Sequence, residues 1–221
     1  MTGKVIVFGA HGKVGQNLIK LLGKPLSKYA TTAIVRNNEQ AQTVKSLSNG
    51  PEISTQQLTL DNTTVKELAG IIKGHSAVVL TVGSAGKNLL QVDLDGVVKT
   101  FEALVQAQVR RLVLISAIHV EDRDKVDSSP IRNYCIAKHY ADRILQLEFS
   151  DKLDFTILKP GLLADDPATG KVKIVTNKDD SGSVTRADVA QAIVTVLEDS
   201  KTYGKSYNFV NGDTPIESAF D

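Results

Sequence analysis

Lys4-Val5-Ile6-Val7-Phe8-Gly9-Ala10-His11-Gly12-Lys13-Val14-Gly15 begins as an unbroken apolar run and passes directly into three glycines, each three residues from the last. A β-branched run without polar alternation suits a strand covered on both faces, as in a parallel sheet. Val14, Leu18, Leu21 and Leu22 follow with helical spacing. The stretch therefore reads as strand, glycine turn, helix. Gly9 permits a turn too tight for a Cβ, Gly12 lets a ligand approach the backbone, and Gly15 lets the helix sit close to the strand. Open N–H groups at the start of that helix, together with its dipole, form a site for an anion such as a pyrophosphate. The glycines stand one residue wider than G-x-G-x-x-G, and their context implies a dinucleotide. Its candidate contacts are Gly9, His11, Gly12, Lys13, Val14 and Gly15. The other reading is a strand-to-helix turn that binds nothing.

Working outward, the first helix stops near Gly23 and Pro25, and Thr31 to Val35 reads as the second strand, ending at Arg36. In a dinucleotide fold an acidic residue at that position binds the NAD 2′-hydroxyl. A guanidinium instead grips a phosphate with two parallel hydrogen bonds, so Arg36 favours NADP over NAD, with Lys13 as a second positive charge. The alternative is a solvated arginine paired with Glu39. Asn38 suits a helix cap, and Ile53 to Leu60 is a weaker third strand ending in Asp61. Asp61 either accepts from an adenine amino group or caps the helix beginning at Val65. Ala77 to Val82 is a buried fourth strand, and Gly83-Ser84-Ala85-Gly86 follows at its carboxyl end. Val82, Gly83 and Ser84 are thus further cofactor candidates, although a loop tip uses the same residues.

A long helix spans about Asn88 to Ala107, with Asp93 and Asp95 early in it, where the helix dipole favours acidic groups. Leu112 to Ile115 is the fifth strand, ending in Ser116, and 117–129 reads as a charged, solvated loop. Ser129-Pro130 then resembles a helix opening that carries Tyr134 and Lys138 on one face. Asp154 to Lys159 is the sixth strand, stopped by Pro160-Gly161. Residues 162–185 have little periodicity and suit a loop with short strands on the substrate side, or a lid. Thr185 opens a last helix, and Tyr207 to Val210 suits an edge strand. Strands alternate with helices throughout, which predicts one doubly wound, mostly parallel α/β sheet with helices on both faces.

With 221 residues, 42% of them hydrophobic, the chain can bury a sizeable core and suits one domain. Its 26 Lys and Arg against 25 Asp and Glu leave a formal charge of +1, which gives no bulk attraction to nucleic acid or membrane. A small molecule is the expected partner. Cys135, the single cysteine, excludes an internal disulfide and reads as a small buried residue. No run approaches the ~20 apolar residues of a membrane span, and the first apolar run is too short for a signal peptide, so a cytoplasmic protein is expected. The four histidines show no metal-ligand spacing, so no metal site is expected.

Gly9, Arg36, Gly83, Ser116 and Pro160 all fall at carboxyl ends of predicted strands, the edge where open α/β sheets bind ligands. A hydride delivered to a carbonyl leaves an alkoxide that must be protonated as it forms. Tyr134 is the candidate acid, since Lys138 and the positive charge of an oxidised nicotinamide would favour its phenolate, and Ser116 suits a hydrogen bond to the substrate oxygen. The alternative for this pair is surface packing. Of the five tyrosines only Tyr134 has a lysine four residues on.

Gly9-x-x-Gly12-x-x-Gly15, Arg36, Asp61, Ser116, Tyr134-x-x-x-Lys138 and Lys159-Pro160-Gly161 together resemble an atypical short-chain dehydrogenase/reductase of the NmrA-like, NAD(P)-binding kind, in order along the whole chain. The resemblance implies a Rossmann fold binding NADP, with Ser116, Tyr134 and Lys138 in the family's catalytic positions and Pro160-Gly161 beside the nicotinamide. Asp93 stands where the family has a catalytic asparagine. The reading is an NADP-dependent oxidoreductase acting on a small carbonyl or related acceptor; the alternative is a non-catalytic NADP-binding redox sensor. A sugar epimerase or dehydratase, a label the family attracts, is disfavoured because too few residues follow Gly161 to close a domain over a sugar nucleotide.

Overall fold

Along β1 (Gly3–Phe8) successive side chains enter two different cores. Val5 and Val7 pack on one face of the sheet, Ile6 and Phe8 on the other, which is why the run shows no polar alternation. The computed structural model describes residues 3–220. After β1 come α1 (Lys13–Leu22), β2 (Tyr29–Val35), α2 (Asn38–Ser46), β3 (Ser54–Gln57), α3 (Val65–Ile72) and β4 (Ala77–Leu80). A π-helical segment (Leu89–Gly96) then leads into α4 (Val97–Ala107), β5 (Arg111–Ile115), α5 (Arg123–Ser128), α6 (Arg132–Glu148) and β6 (Asp154–Pro160). The chain ends with β7 (Leu162–Ala164), β8 (Lys171–Ile174), β9 (Ser183–Thr185), α7 (Arg186–Leu197), β10 (Lys205–Asn211) and β11 (Thr214–Pro215).

The sheet runs β3-β2-β1-β4-β5-β6-β10-β8-β11. From β3 to β10 every pairing is parallel; β8 runs antiparallel to both β10 and β11. Strand order reverses between β1 and β4, the crevice where such sheets take ligands. The apolar faces of α1 and α7 (Leu18, Ile19, Leu22, Ile193, Leu197) cover one side. α3, α4 and α6 (Leu68, Ile72, Phe101, Leu104, Leu145) cover the other. This is the Rossmann architecture expected from the alternation of strands and helices.

Local competition moved several boundaries. The predicted helix over 88–107 winds first as the π-helical segment and becomes α-helical only at Val97. The supposed loop over 117–129 contains α5, because Asp122 caps it by accepting the N–H groups of Asp124 and Lys125 at 2.9 and 3.2 Å. Ser129 is therefore used to close α5, and α6 begins at Arg132 with no side-chain cap. Asn37 rather than Asn38 caps α2, accepting from Gln40 N at 2.9 Å. β3 ends at Gln57, short of Asp61. The stretch from 205 to 211 is an interior strand and not an edge, since β8, a short strand within 162–185, pairs along its outer edge.

Arg111, at the start of β5, is buried and joins three elements. Its guanidinium donates to the carbonyls of Leu197 (3.0 Å), Leu112 (3.1 Å) and Asp154 (2.8 Å), to Val196 O, and to Thr156 Oγ1 (2.9 Å). Val196 O also accepts from Asp199 N at 3.2 Å, so Leu197 O, at the end of α7, is the carbonyl that depends on Arg111. Replacing Arg111 by Leu removes that donor from a buried carbonyl, and should lower the unfolding free energy by about 1–3 kcal/mol in a urea titration.

Candidate active site

Gly9 turns the chain at the end of β1 with φ +81°, and a Cβ there would meet Thr81 O at 2.7 Å. A Cβ on Gly15 would meet Gly9 O at 2.2 Å, so α1 touches the turn through this residue. Gly12 differs: a Cβ would approach only Gly9 O, at 3.2 Å, and the residue is exposed. It stands at the N-cap of α1 with no side-chain cap and no acidic residue in the first turn, whereas α2, α3, α5 and α7 are capped by Asn37, Thr64, Asp122 and Thr185. The first amides of α1 are therefore left for an outside anion. The side chain of Val14 is buried in the core, leaving only its amide as a contact. His11 is half-buried and its carbonyl accepts from Gln16 Nε2 at 2.7 Å.

A cavity of about 350 Å³ opens above this turn. Gly9, His11 and Gly12 line it from β1, Arg36 from β2, Asp61 after β3, and Val82, Gly83 and Ser84 after β4. The predicted contacts thus converge across the crevice. Arg36 is exposed, its backbone N–H held by Gln40 Oε1 at 2.9 Å, and among the described residues its guanidinium has no ion-pair partner; the alternative pairing with Glu39 is absent. Asp61 accepts from Asn88 Nδ2 at 3.2 Å and caps nothing; the capping box of α3 is Thr64 with Glu67. Thr81, Lys87 and Asn88, not anticipated, also line the cavity. Lys13 pairs with Asp165, which also holds Arg186 at 2.7 Å; these exposed pairs contribute little stability.

Tyr134, Lys138 and Asp142 project from α6 at four-residue intervals, a single face. Lys138 is fully buried, its Nζ donating to Val82 O (3.1 Å) and Ile115 O (3.2 Å) and lying 5.7 Å from the centre of the Tyr134 ring. Burial pushes the Lys138 ammonium below the ordinary lysine value, against the attraction of Asp93 and Asp142. Tyr134 is half-buried, and among the described residues its hydroxyl has no hydrogen-bond partner. Burial, reinforced by the negative charge of Asp93, raises the Tyr134 phenol, so the lowering expected from Lys138 does not prevail and the hydroxyl keeps its proton. Asp93 is itself fully buried in the π-helical segment, its two oxygens 3.2 and 3.0 Å from Ser84 N. It fastens the loop after β4.

Ser116 lies at the end of β5 as predicted, but it lines neither this cavity nor the one beside Tyr134. Its Oγ donates to Asp142 Oδ2 at 2.8 Å. Lys159 Nζ sits 3.4 Å from the same oxygen and 2.8 Å from Glu121, which also accepts from Asn208 Nδ2 at 2.6 Å. Burial raises the Asp142 carboxyl against Lys159, the Ser116 hydrogen bond and Lys138. Burial pushes Glu121 the same way, but there Lys159 and Asn208 prevail and hold it below the usual carboxylate range. Sequence reasoning missed this network, although Asp142 continues the spacing of Tyr134 and Lys138. Pro160 and Gly161 are buried, and a Cβ on Gly161 would meet Gly182 O at 2.3 Å; neither residue lines a cavity. Cys135 is buried, as expected.

Comparison with known proteins shows the family and the fold. The profile of a family described as NAD(P)H-binding matches residues 9–200. A Saccharomyces cerevisiae protein named UPF0659 protein YMR090W is 37% identical, over 97% of this chain and 96% of its own. The Bacillus subtilis protein named uncharacterized sugar epimerase YhfK is 33% identical, over 98% of each. The solved structure of the oxidoreductase ylbE from Lactococcus lactis has a TM-score of 0.87 at 34% identity, covering 98% of this chain and 94% of that one. Among the described residues no helix is long and apolar enough to cross a membrane, and no group of side chains suits a metal ion.

The raised Tyr134 phenol can be read directly. The tyrosinate absorbance of wild type minus that of Tyr134→Phe should stay flat as pH rises through the ordinary phenol value of 10.0. An ionisation at or below that pH would show that Lys138 outweighs burial.

Proposed function

The chain belongs to the NAD(P)H-binding family, and from that premise we propose that it is an NADP-dependent reductase acting on a small carbonyl or related acceptor, with Tyr134 as proton donor. The observation that carries the reading is the Tyr134 hydroxyl, which has no hydrogen-bond partner among the described residues and stands on one face of α6 with the buried Lys138. General acid catalysis needs such a group. The bound dinucleotide supplies the hydride. Gly9, Gly12 and Gly15, with the amides of His11, Lys13 and Val14, would hold its pyrophosphate. Arg36 and Lys13 would take the 2′-phosphate, Asp61 the adenine, and Val82, Gly83 and Ser84 the path towards the nicotinamide, with Pro160 and Gly161 completing that end.

Lys138 is held by carbonyls on either side, its Nζ 5.7 Å from the centre of the Tyr134 ring. Asp93 positions Ser84, and Ser116 positions Asp142 at the base of α6. Residues 162–185, expected as a substrate-side loop or lid of a single domain, are tied to the start of α1 through Asp165 and line neither of the two cavities. A non-catalytic NADP-binding sensor is the second reading, favoured by Ser116, whose hydroxyl serves Asp142 and lines neither of the two cavities.

Replacing Arg36 by Ala should weaken NADPH binding about 10- to 100-fold and leave NADH almost unchanged, in parallel titrations of both cofactors. Equal losses would remove the 2′-phosphate role. Tyr134→Phe keeps the ring, so NADPH affinity should hold while kcat on any reducible carbonyl falls ~10²- to 10⁴-fold. A wild type that reduces nothing across a broad carbonyl panel, yet binds NADPH and NADP⁺ with very different affinities, would establish the sensor.

A further inference from the structure

A second cavity, about 550 Å³, lies on the far side of the loop that follows β4. The loop turns sharply, with Ala85 at φ +53° and Gly86 at φ +80°. Gly83, Ser84, Lys87 and Asn88 consequently line the first cavity, whereas Ala85 and Gly86 line the second. The two cavities adjoin along this loop. Tyr134 lines the second cavity, and Lys138, one turn further along α6, is bonded to the carbonyl of Val82, which lines the first. The two residues therefore bridge the chambers.

The walls of this second cavity are mostly apolar. Leu89, at the start of the π-helical segment, faces Pro130 and Ile131 from the lead-in to α6. Ile131 is 58% exposed and lines the cavity beside Pro130. The one cation in the lining, Arg132, already donates from Nε (3.0 Å) and Nη2 (2.8 Å) to Asp127, so its charge is balanced. Two polar side chains remain without hydrogen bonds among the described residues, the Tyr134 hydroxyl and the Asn133 amide. An apolar frame with few polar groups is the design of a site for a small apolar ligand. A sugar nucleotide needs cations for its diphosphate and many partners for its hydroxyls, and these walls offer neither.

We infer that this cavity receives an uncharged, largely apolar carbonyl compound of about one or two rings, its oxygen directed at Tyr134. The inference rests on the reductase reading and names the substrate class. The carbonyl carbon gains the hydride of the reduced dinucleotide, and its oxygen takes the Tyr134 proton as the C=O π bond breaks. An alcohol and the oxidised dinucleotide result, and solvent reprotonates the phenolate.

Calorimetry on NADP⁺-loaded protein tests the site without requiring turnover. Naphthaldehyde should bind, while pyruvate and UDP-glucose should not. Ile131→Asp places an unpaired carboxylate in the wall and should weaken naphthaldehyde binding at least about tenfold. Leu147→Asp, at a position of α6 that is 65% exposed and outside the cavity, should leave it unchanged. Because both positions are exposed, both variants should fold. Binding of UDP-glucose in place of naphthaldehyde, or naphthaldehyde affinity indifferent to Ile131→Asp, would overturn the inference. Naphthaldehyde that binds through Ile131 but is not reduced by NADPH would uphold the apolar site and sink the reductase reading instead.

Discussion

The carboxyl edge of the sheet depends on how closely α1 approaches the end of β1. That approach is a steric constraint, and the three glycines meet it for different reasons. Gly9 supplies a left-handed backbone beside Thr81, Gly15 removes the only atom that would collide with the Gly9 carbonyl, and Gly12 leaves amides uncovered. Once α1 is seated, Leu18, Ile19 and Leu22 reach the core shared with α7. The same contact that builds one half of the core therefore aims the open end of a helix dipole into the crevice between β1 and β4.

On the opposite side of the crevice the organising force is electrostatic. Lys138, Lys159, Asp142 and Asp93 are all buried near the ends of β4, β5 and β6. Desolvating such charges costs several kcal/mol each, and a well-packed apolar cluster would serve stability as well or better. Their concentration at the carboxyl ends of the strands is therefore not what stability alone would select. The network also joins α6 to the ends of β5 and β6 through Ser116 and Lys159, which holds Tyr134 on a rigid support.

Much of this was legible in the sequence because periodicity and glycine spacing report local geometry. β1, the glycine turn, the buried strands and the face of α6 bearing Tyr134 and Lys138 are all short-range patterns. What escaped was decided over distance. No local signal distinguishes Asp122 from Ser129 as the cap that wins, or shows that residues near 172 will pair with those near 210 and bury a strand that looked like an edge. Ser116 was placed correctly on its strand, yet its hydroxyl partner lies 26 residues away on another element. Asp93 was visible as an acidic residue in a helix, but its bond to Ser84 depends on a winding that composition does not encode.

That winding has a consequence for how the chain tolerates change. A π-helical turn holds one more residue than an α-helical turn, so the eight residues from Leu89 to Gly96 behave as a helix with an insertion accommodated inside it. Deleting that one residue would let the segment rewind as α-helix with the side chains upstream close to their present angular positions, because the rewinding removes only what the wide turn accommodates. A residue deleted from α4 instead would rotate everything upstream by about 100° and turn Leu89 and Asp93 away from their present neighbours. A change of length is thus absorbed in the π-helical segment and not in the α-helix that follows it.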